Sequence, residues 1–378
     1  MTAGRGRSET QVQIGVVMSG CRPGGGGELL TVRTIESLSE AGHSITLYVP
    51  EAVNLDEYSR FYNDAFRCRI VVRKNRIINL IPQKYRTLPK DFYLKWRLEE
   101  KIIFDLSPTV IPTYIRLPDL AYFHALPLLD PLRPKRFRRS ANPKHLARKL
   151  FIAAWKKNVD RFLTSSTKML ANSDFTRREL CKVGLHCEVA YPPVDLISWQ
   201  PQNDTYRKGV VSVARFSPSN ANKHHEWQLQ ILKDKPTTLL ALGGCMTLEE
   251  THHLKWLKQN ATPNVKLVAN APFQQVRDAV WSAKVFLHTA EKEGFGMSVV
   301  EAIAAGCIPL VYDDGGPREI VTVPELRFKS IEEARVKLDK ALAGEYDGLL
   351  PELQNHVQSF DVKSYKKRFL DLVSDILN

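Results

Sequence analysis

The stretch Glu293-Gly-Phe-Gly-Met-Ser-Val-Val-Glu301 decides the fold prediction, because it places a glycine-rich turn between an apolar run and a short helix. The apolar run Ala283–Thr289 predicts a buried strand, and Ser298–Ala305 predicts a helix that ends at Gly306. A strand, a loop and a helix in this order place Glu293 at the carboxyl edge of a sheet. Open α/β domains bind their ligands at that edge.

The turn has the composition of an anion site. Gly294 and Gly296 let backbone N–H groups approach a ligand closely, and the helix N-terminus behind them favours an anion such as a diphosphate. The same residues allow a structural interpretation, since Ser298-x-x-Glu301 is also a capping box in which Glu301 would bind the N-cap amide. Both interpretations of Glu301 remain open at this point.

Length and composition indicate a globular protein of two α/β domains. A chain of 378 residues is too long for one typical core, and a proline-containing, aperiodic segment around 191–208 predicts a linker. We therefore predict domains at 1–200 and 201–360. No apolar run is long enough to span a bilayer, residues 1–11 lack a signal-peptide core, and the six cysteines form no CxxC pair. These features predict a cytoplasmic protein with reduced thiols.

The net charge of +13 is concentrated in one segment. Residues 131–159 contain ten Lys or Arg and no Asp or Glu, interleaved with apolar and aromatic side chains. Such a segment suits an anionic membrane surface, so we expect peripheral membrane association through it. Nucleic acid is the rival partner, which we do not expect, and a solvated basic face is the third interpretation.

The start of the chain predicts a βαβ unit. Residues 12–18 read as a buried strand that runs into a glycine-rich string ending in Gly25-Gly-Gly-Glu28, after which Thr31–Ala41 predicts a helix and Ser44–Val49 a second strand. No Gly-Lys-Ser/Thr follows the glycines, so they are not a Walker loop. A glycine loop between a strand and a helix suits a phosphate, whereas a flexible surface loop is the alternative.

Two cations are associated with the predicted strand Gly209–Phe216: Arg215 lies at its end, and Lys223 follows it. Arg215 and Lys223 flank a polar segment there, and the chain contains no Asp-x-Asp, which is the simplest metal-diphosphate signature. We therefore expect no metal and no cofactor. Cationic side chains and the helix N-terminus would instead supply the positive charge for a bound diphosphate. Solvated surface charge is the alternative for both residues.

Together, the paired-glutamate motif, the string Gly315-Gly-Pro-Arg-Glu-Ile-Val321, the glycine loop and Asn172-Ser-Asp-Phe-Thr176 resemble the retaining GT-B glycosyltransferases of family 4. The resemblance implies two Rossmann-like domains with parallel sheets facing a cleft, an N-terminal acceptor domain, a C-terminal donor domain and a final helix, 361–378, that returns to the first domain. It is strongest to the family's mannosyltransferases that extend dolichol-linked oligosaccharides on the cytosolic face of the membrane.

The resemblance also implies roles for individual residues. Glu293 would bind the donor sugar, Glu301 the ribose, and Arg215 and Lys223 the diphosphate. Asp119–Leu126 resembles the strand whose terminal histidine faces the acceptor, which makes His124 the candidate. A satisfied core histidine is the alternative. The predicted catalytic residues are His124, Glu293, Arg215 and Lys223. The predicted donor-binding residues are Gly25, Gly26, Gly27, Arg215, Lys223, Asn270, Ala271, Glu293, Gly294, Phe295, Gly296, Met297, Ser298 and Glu301.

The function hypothesis is transfer of a hexose with retention, mannose from GDP-mannose, to a lipid-linked or other glycan acceptor at the membrane surface. One alternative keeps the fold but uses a UDP-sugar and a soluble or glycolipid acceptor. The other is a catalytically silent GT-B module that binds nucleic acid or an anionic surface. Intact Glu293, Glu301, Arg215 and Lys223 argue against the silent module.

Overall fold

The computed structural model describes residues 11–18, 26–50, 52–56, 58, 68–73, 98–107, 117–124, 160–161, 163–201, 206–218 and 223–377. The chain divides into two compact units. The first contains residues up to 172, residues 176–190 and residues from 366 onward, and the second contains 173–175 and 191–365. The sequence placed the boundary at 200, whereas contacts group 191–200 with the second unit.

The first unit is built on a parallel sheet of seven strands in the order β3-β2-β1-β4-β5-β6-β7. The strands are β1 (Gln13–Val17), β2 (Ser44–Val49), β3 (Arg69–Val72), β4 (Ile102–Asp105), β5 (Leu120–Phe123), β6 (Lys168–Ala171) and β7 (Glu188–Val189). Val16 pairs in register with Leu47 of β2 and Phe104 of β4, and all three are buried. Such apolar central strands are typical of sheets covered on both faces.

Helices described in this unit include α1 (Gly26–Glu40) and most of α2 (Asp174–Cys181). The predicted βαβ unit is present, but α1 begins at Gly26 and not at Thr31, so Gly26 and Gly27 lie in its first turn. The expectation of a loop at these two glycines was therefore wrong. Glu28 in the first turn suits the positive end of the helix dipole, which favours the earlier start.

The second unit is a parallel sheet of six strands in the order β10-β9-β8-β11-β12-β13. Its strands are β8 (Val210–Val213), β9 (Leu239–Gly243), β10 (Val265–Ala269), β11 (Val285–His288), β12 (Ile308–Tyr312) and β13 (Arg327–Phe328). Its helices are α3 (Leu196–Trp199), α4 (His225–Leu232), α5 (Leu248–Asn260), α6 (Phe273–Ser282), α7 (Met297–Ala304), α8 (Pro317–Ile320), α9 (Ile331–Ala343) and α10 (Leu350–His356), with 3-10 turns at Pro324–Leu326, Asp347–Leu349 and Val357–Phe360.

The final helix, α11 (Val362–Leu377), returns to the first unit from residue 366 onward. Phe369 meets Phe104 of β4 edge to face at 6.2 Å between ring centroids, and Lys366 binds Glu40 of α1 at 2.9 Å. The predicted two Rossmann-like parallel-sheet domains with a returning C-terminal helix are thus confirmed. In the part of the chain that the structure describes, no helix is both long and apolar enough to cross a bilayer.

Candidate functional site

The paired-glutamate motif lies where the sequence places it, at the carboxyl end of β11. The chain leaves β11 at His288 and enters α7 at Met297, within one or two residues of the predicted ends. Gly296 is the N-cap, has a left-handed φ of 105°, and leaves the helix start without a side-chain cap. A left-handed N-cap favours glycine, and no side chain caps the first turn, in which the Val299 N–H donates to the Gly296 carbonyl at 2.9 Å.

This N-cap excludes the capping-box interpretation of the motif. Ser298 lies inside α7 and Gly296 occupies the cap, so Ser298 and Glu301 form no capping box. The structural interpretation of Glu301 is wrong for this reason. A left-handed backbone conformation, and not the S-x-x-E pattern, sets the start of the helix.

Glu293 forms an ion pair with Lys223, which lies 70 residues away in the chain. Both side chains are about a quarter exposed, at 23% and 25%. Burial alone would raise the pKa of the Glu293 carboxyl, but the charge of Lys223 and its hydrogen bond outweigh burial, so the pKa is lowered. Glu293 is therefore an ionised acceptor at neutral pH, and it lies beside a cation.

His288 is the buried neighbour of this pair. Its Nε2 lies 4.0 Å from the Glu293 carboxylate, and only 4% of the side chain is exposed. Burial lowers the pKa of His288 to about 4, so the imidazole is neutral at neutral pH. His288 lies within the apolar run 283–289 that predicts the strand, and a single histidine in such a run carries no pattern that would distinguish it.

Glu301 has a different environment. Its side chain is half-buried on the second turn of α7, and within the described residues it forms no hydrogen bond and no ion pair. Burial raises the pKa of Glu301 to about 7. Within the described residues, both carboxyl oxygens of Glu301 therefore keep their capacity to accept hydrogen bonds.

Two glycines that sequence analysis left without a role hold the Glu293 loop. The N–H of Gly316 donates to the Glu293 carbonyl at 2.9 Å, and the Lys292 N–H donates to Asp314 at 3.0 Å. A side chain at Gly315 would approach the Glu293 carbonyl at 2.6 Å, and one at Gly316 would approach the Phe295 Cα at 2.6 Å. The two loops therefore pack backbone against backbone, which only glycine allows.

Arg215 is not brought to the paired glutamates. Its side chain is 61% exposed, and its Nε lies 3.9 Å from Glu250. Glu250 is already engaged in the capping box with Thr247 at the start of α5. Within the described residues, Arg215 forms no ion pair with Glu293 or Glu301, so of the two predicted cations only Lys223 meets the motif in the structure.

Asn270 serves the architecture of the neighbouring loops. Its Oδ1 accepts from the Cys245 N–H at 2.8 Å and its Nδ2 donates to the Cys245 carbonyl at 3.0 Å, with a left-handed φ of 54° at the residue itself. The amide thus ties the loop after β10 to the loop after β9. The following residue, Ala271, is half-buried against the core.

The remaining predicted donor-binding residues lie as follows. Gly294, Phe295, Gly296, Met297 and Ser298 form the Glu293 loop and the first turn of α7. Phe295 is buried and packs on Tyr191, with 5.5 Å between ring centroids. Gly26 and Gly27 open α1 in the first unit, whereas Gly25 and the basic segment 131–159 lie outside the described residues. Among the residues described, no group of three or more His, Cys, Asp or Glu side chains is placed to hold a metal ion.

His124 lies at the carboxyl end of β5 in the first unit. Its Nε2 is 3.0 Å from the Leu106 carbonyl, and the ring packs on Tyr122 at 4.9 Å between centroids. A carbonyl can only accept, so Nε2 carries the hydrogen in the neutral ring and Nδ1 is left as an acceptor. Burial lowers the pKa of His124 to about 4, although the Leu106 hydrogen bond opposes the shift. The ring is therefore neutral at neutral pH.

Known proteins match the chain along most of its length. The model of "Glycosyltransferase Family 4" matches residues 24–197, and that of "Glycosyl transferases group 1" matches residues 194–355. A GDP-Man:Man(3)GlcNAc(2)-PP-Dol alpha-1,2-mannosyltransferase from Xenopus tropicalis is 30% identical over 179 residues, which cover 42% of this chain and 36% of the relative. The Homo sapiens enzyme of that name is 29% identical over 182 residues, with the same coverage of 42% and 36%.

A solved structure matches the whole fold. Sucrose-phosphate synthase from Thermosynechococcus elongatus superposes with a TM-score of 0.72 and 16% identity, covering 97% of this chain and 99% of that chain. This likeness concerns the fold alone, and the matched segment spans only about a third of the length of the mannosyltransferase relatives. Two adjoining family models, the parallel sheets and the Glu293 motif at the edge of the second sheet agree, and the chain belongs to the GT-B glycosyltransferases of family 4.

Proposed function

We propose that this chain is a retaining, metal-independent hexosyltransferase that moves mannose from GDP-mannose to a lipid-linked glycan at a membrane surface. The donor and acceptor classes come from the printed names of the relatives, which are 29–30% identical over the matched segment. Because that segment spans 36% of each relative, the substrates of this chain are a proposal.

The observation that carries the proposal is the Lys223–Glu293 pair beside the uncapped start of α7. An ionised carboxylate accepts hydrogen bonds from sugar hydroxyls. An ammonium group has three donors, so Lys223 can keep Glu293 and still donate to a phosphate oxygen. The free N–H groups of α7 add fixed positive dipoles for the same anion. Glu301 has no internal partner in the described residues and suits the ribose hydroxyls.

The reaction places negative charge on the departing nucleoside diphosphate. As the bond from the anomeric carbon to the diphosphate oxygen breaks, the acceptor hydroxyl forms the new bond on the same face, and its proton passes to a donor phosphate oxygen. Stabilisation of the developing charge without a metal is assigned to Lys223 and Arg215. Neutral His124, with its Nδ1 as an acceptor, is assigned to orienting the acceptor hydroxyl.

The membrane part of the proposal depends on the segment 131–159. Its ten cations and no acids would hold the first unit at an anionic bilayer, where a lipid-linked acceptor resides. The proposal is therefore a peripheral protein at the cytoplasmic membrane surface, with no nucleic-acid partner.

A thermal-shift screen with GDP-mannose, UDP-glucose and ADP-glucose tests the donor. A ligand at 100 times its Kd stabilises a protein by about 2.7 kcal/mol, so the preferred nucleotide should raise the Tm clearly above the others. Transfer of labelled mannose to Man(3)GlcNAc(2)-PP-dolichol, with and without EDTA, then tests the reaction. Stabilisation by UDP-glucose alone would refute GDP-mannose as donor, and binding without transfer or hydrolysis of any sugar nucleotide would favour a silent module.

A further inference from the structure

A chain of buried hydrogen bonds runs behind Lys223. Gln228 of α4 is 2% exposed, and its Nε2 donates to Ser212 Oγ at 2.8 Å and to Thr289 Oγ1 at 3.1 Å. Thr289, itself 1% exposed, donates its hydroxyl to the Lys223 carbonyl at 2.9 Å. A hydroxyl has one hydrogen, so Thr289 must accept from Gln228 when it donates to Lys223, and the direction of the chain is determined.

The backbone of Lys223 is also held from its other side. The next residue, His224, has a left-handed φ of 50°, an uncommon conformation for a residue other than glycine. Its ring stacks on Trp227 at 4.0 Å between centroids, and its two ring nitrogens lie 3.1 Å from Glu226 and 3.4 Å from Glu291. These contacts hold His224 in place, while Thr289 fixes the carbonyl that precedes it.

A lysine needs such support to act as a point charge in one place. Its side chain has four rotatable bonds and loses much rotamer freedom when it is held. In the described residues, the Lys223 ammonium group has one side-chain partner, Glu293. The position of the ammonium group therefore depends on the position of the Lys223 backbone, from which the side chain extends. A shift of this backbone would move the cation away from both Glu293 and a bound diphosphate.

We propose that Thr289, held by Gln228, is a positioning residue that fixes Lys223 against Glu293 in the donor site. The inference rests on the proposed function, because it assumes that Lys223 meets the donor. It assigns the hydroxyl of Thr289 a role in turnover, although this side chain is buried beneath the site and bonds only to protein groups.

The alternative is that Thr289 is an ordinary satisfied core residue. The Thr289→Val variant separates the two, because valine keeps the shape but leaves the Lys223 carbonyl without its donor and Gln228 with one hydrogen bond fewer. Thr289→Ser keeps the hydroxyl and loses a methyl group. Thr167→Val is the matched control, since buried Thr167 also donates to a backbone carbonyl, that of Pro118 at 2.7 Å, in the first unit.

The experiment measures kcat and KM for GDP-mannose in mannosyl transfer to Man(3)GlcNAc(2)-PP-dolichol. We expect Thr289→Val to lower kcat/KM at least about tenfold, Thr289→Ser to stay within about threefold of the unsubstituted protein, and Thr167→Val to leave it unchanged. In a Lys223→Ala background, Thr289→Val should cost less than about twofold, because residues that act through one group are not additive.

Independent losses in the double variant, or equal losses for the serine and valine variants, would overturn the inference. If Thr289→Val does not fold, Gln228→Met tests the same chain, with the expectation of a smaller loss that disappears in the Lys223→Ala background. The proposed function has its own outcome. Full activity of Lys223→Ala would refute the role of Lys223 in the donor site, whereas a disabled Lys223→Ala with a normal Thr289→Val would refute only the positioning role.

Discussion

The Glu301→Gln substitution should stabilise the ligand-free protein at alkaline pH and leave its stability unchanged in acid. Burial raises the pKa of Glu301 from an ordinary 4.5 to about 7. One pKa unit corresponds to 1.36 kcal/mol, so the ionised side chain costs about 3 kcal/mol at pH 8 relative to the same group in the unfolded chain. Glutamine has nearly the same shape and no charge, so this cost disappears.

The sign follows from proton binding. Between about pH 4.5 and 7, the folded protein keeps the Glu301 proton while the unfolded chain has released it. The contribution of Glu301 to the free energy of unfolding therefore falls as pH rises through this window and becomes constant above it. The glutamine variant lacks this dependence, so the stability difference should be near zero at pH 4.5 and largest at pH 8.

The assay is thermal unfolding of both proteins from pH 5 to pH 8. For a domain of 150–250 residues, 1 kcal/mol shifts the Tm by about 2–4 °C, so the variant should gain several degrees at pH 8 and about a quarter of that gain at pH 5. Glu352→Gln is the control, because Glu352 is exposed on α10. A Tm difference that does not change with pH, or one that equals that of the control, would refute the raised pKa of Glu301.

The same substitution tests the assignment of Glu301 to the nucleotide. Ribose hydroxyls donate to the ionised carboxylate, so binding of GDP should lower the pKa of Glu301 and strengthen as pH rises from 6 to 8. The glutamine variant should bind GDP more weakly at pH 8 and without this rise. GDP affinity that is equal in both proteins at every pH would exclude Glu301 from the nucleotide site.

Three further outcomes are expected. Glu293→Ala should lower turnover far more than GDP affinity, because its proposed contacts are to the sugar, and equal losses measured by kinetics and calorimetry would contradict this. Arg215→Ala and Lys223→Ala should each lower turnover at least about tenfold. Activity should survive EDTA, and a loss of activity on chelation that added manganese restores would refute the metal-independent assignment. Neutralising the five cations within residues 133–139 should abolish sedimentation with anionic liposomes at low salt, since each charge near the surface contributes about 1 kcal/mol. Turnover on a water-soluble acceptor should change little. Equal losses of turnover on the soluble and the membrane-embedded acceptor would refute the membrane role.

The local elements around the motif could be predicted because their patterns are local. The apolar run that became β11 and the helix that became α7 differ from the prediction by one or two residues at their ends. The glycine pattern also located the sharp turn. The capping box failed because S-x-x-E describes hydrogen-bonding capacity, whereas the left-handed conformation of Gly296 determines where the helix begins.

The partners across the sheet could not be predicted from spacing. Lys223 and Glu293 are 70 residues apart, in the segments that follow β8 and β11, and the parallel pairing of these two strands brings them together. Arg215 is an equally plausible cation in sequence, but Glu250 at the start of α5 lies beside it. Asn270 is a predicted donor-binding residue, yet both its Oδ1 and its Nδ2 form hydrogen bonds with the backbone of Cys245. Tertiary contacts that no local pattern encodes thus decide which polar side chains lie together at the edge of the sheet.

The environment gives the two glutamates of one motif opposite properties. Burial favours a raised pKa at both carboxyls, but at Glu293 the charge of Lys223 outweighs burial and lowers the pKa. At Glu301 burial is the only cause of a shift, and it raises the pKa to about 7. Glu293 is therefore ionised across the physiological range, while Glu301 changes its charge within it. If Glu293 binds the sugar and Glu301 the ribose, a fall in pH from 8 to 6 should weaken nucleotide binding before it affects sugar recognition. The two carboxylates then divide between nucleotide binding and sugar recognition because, among the described residues, Glu293 has a cation beside it and Glu301 has none.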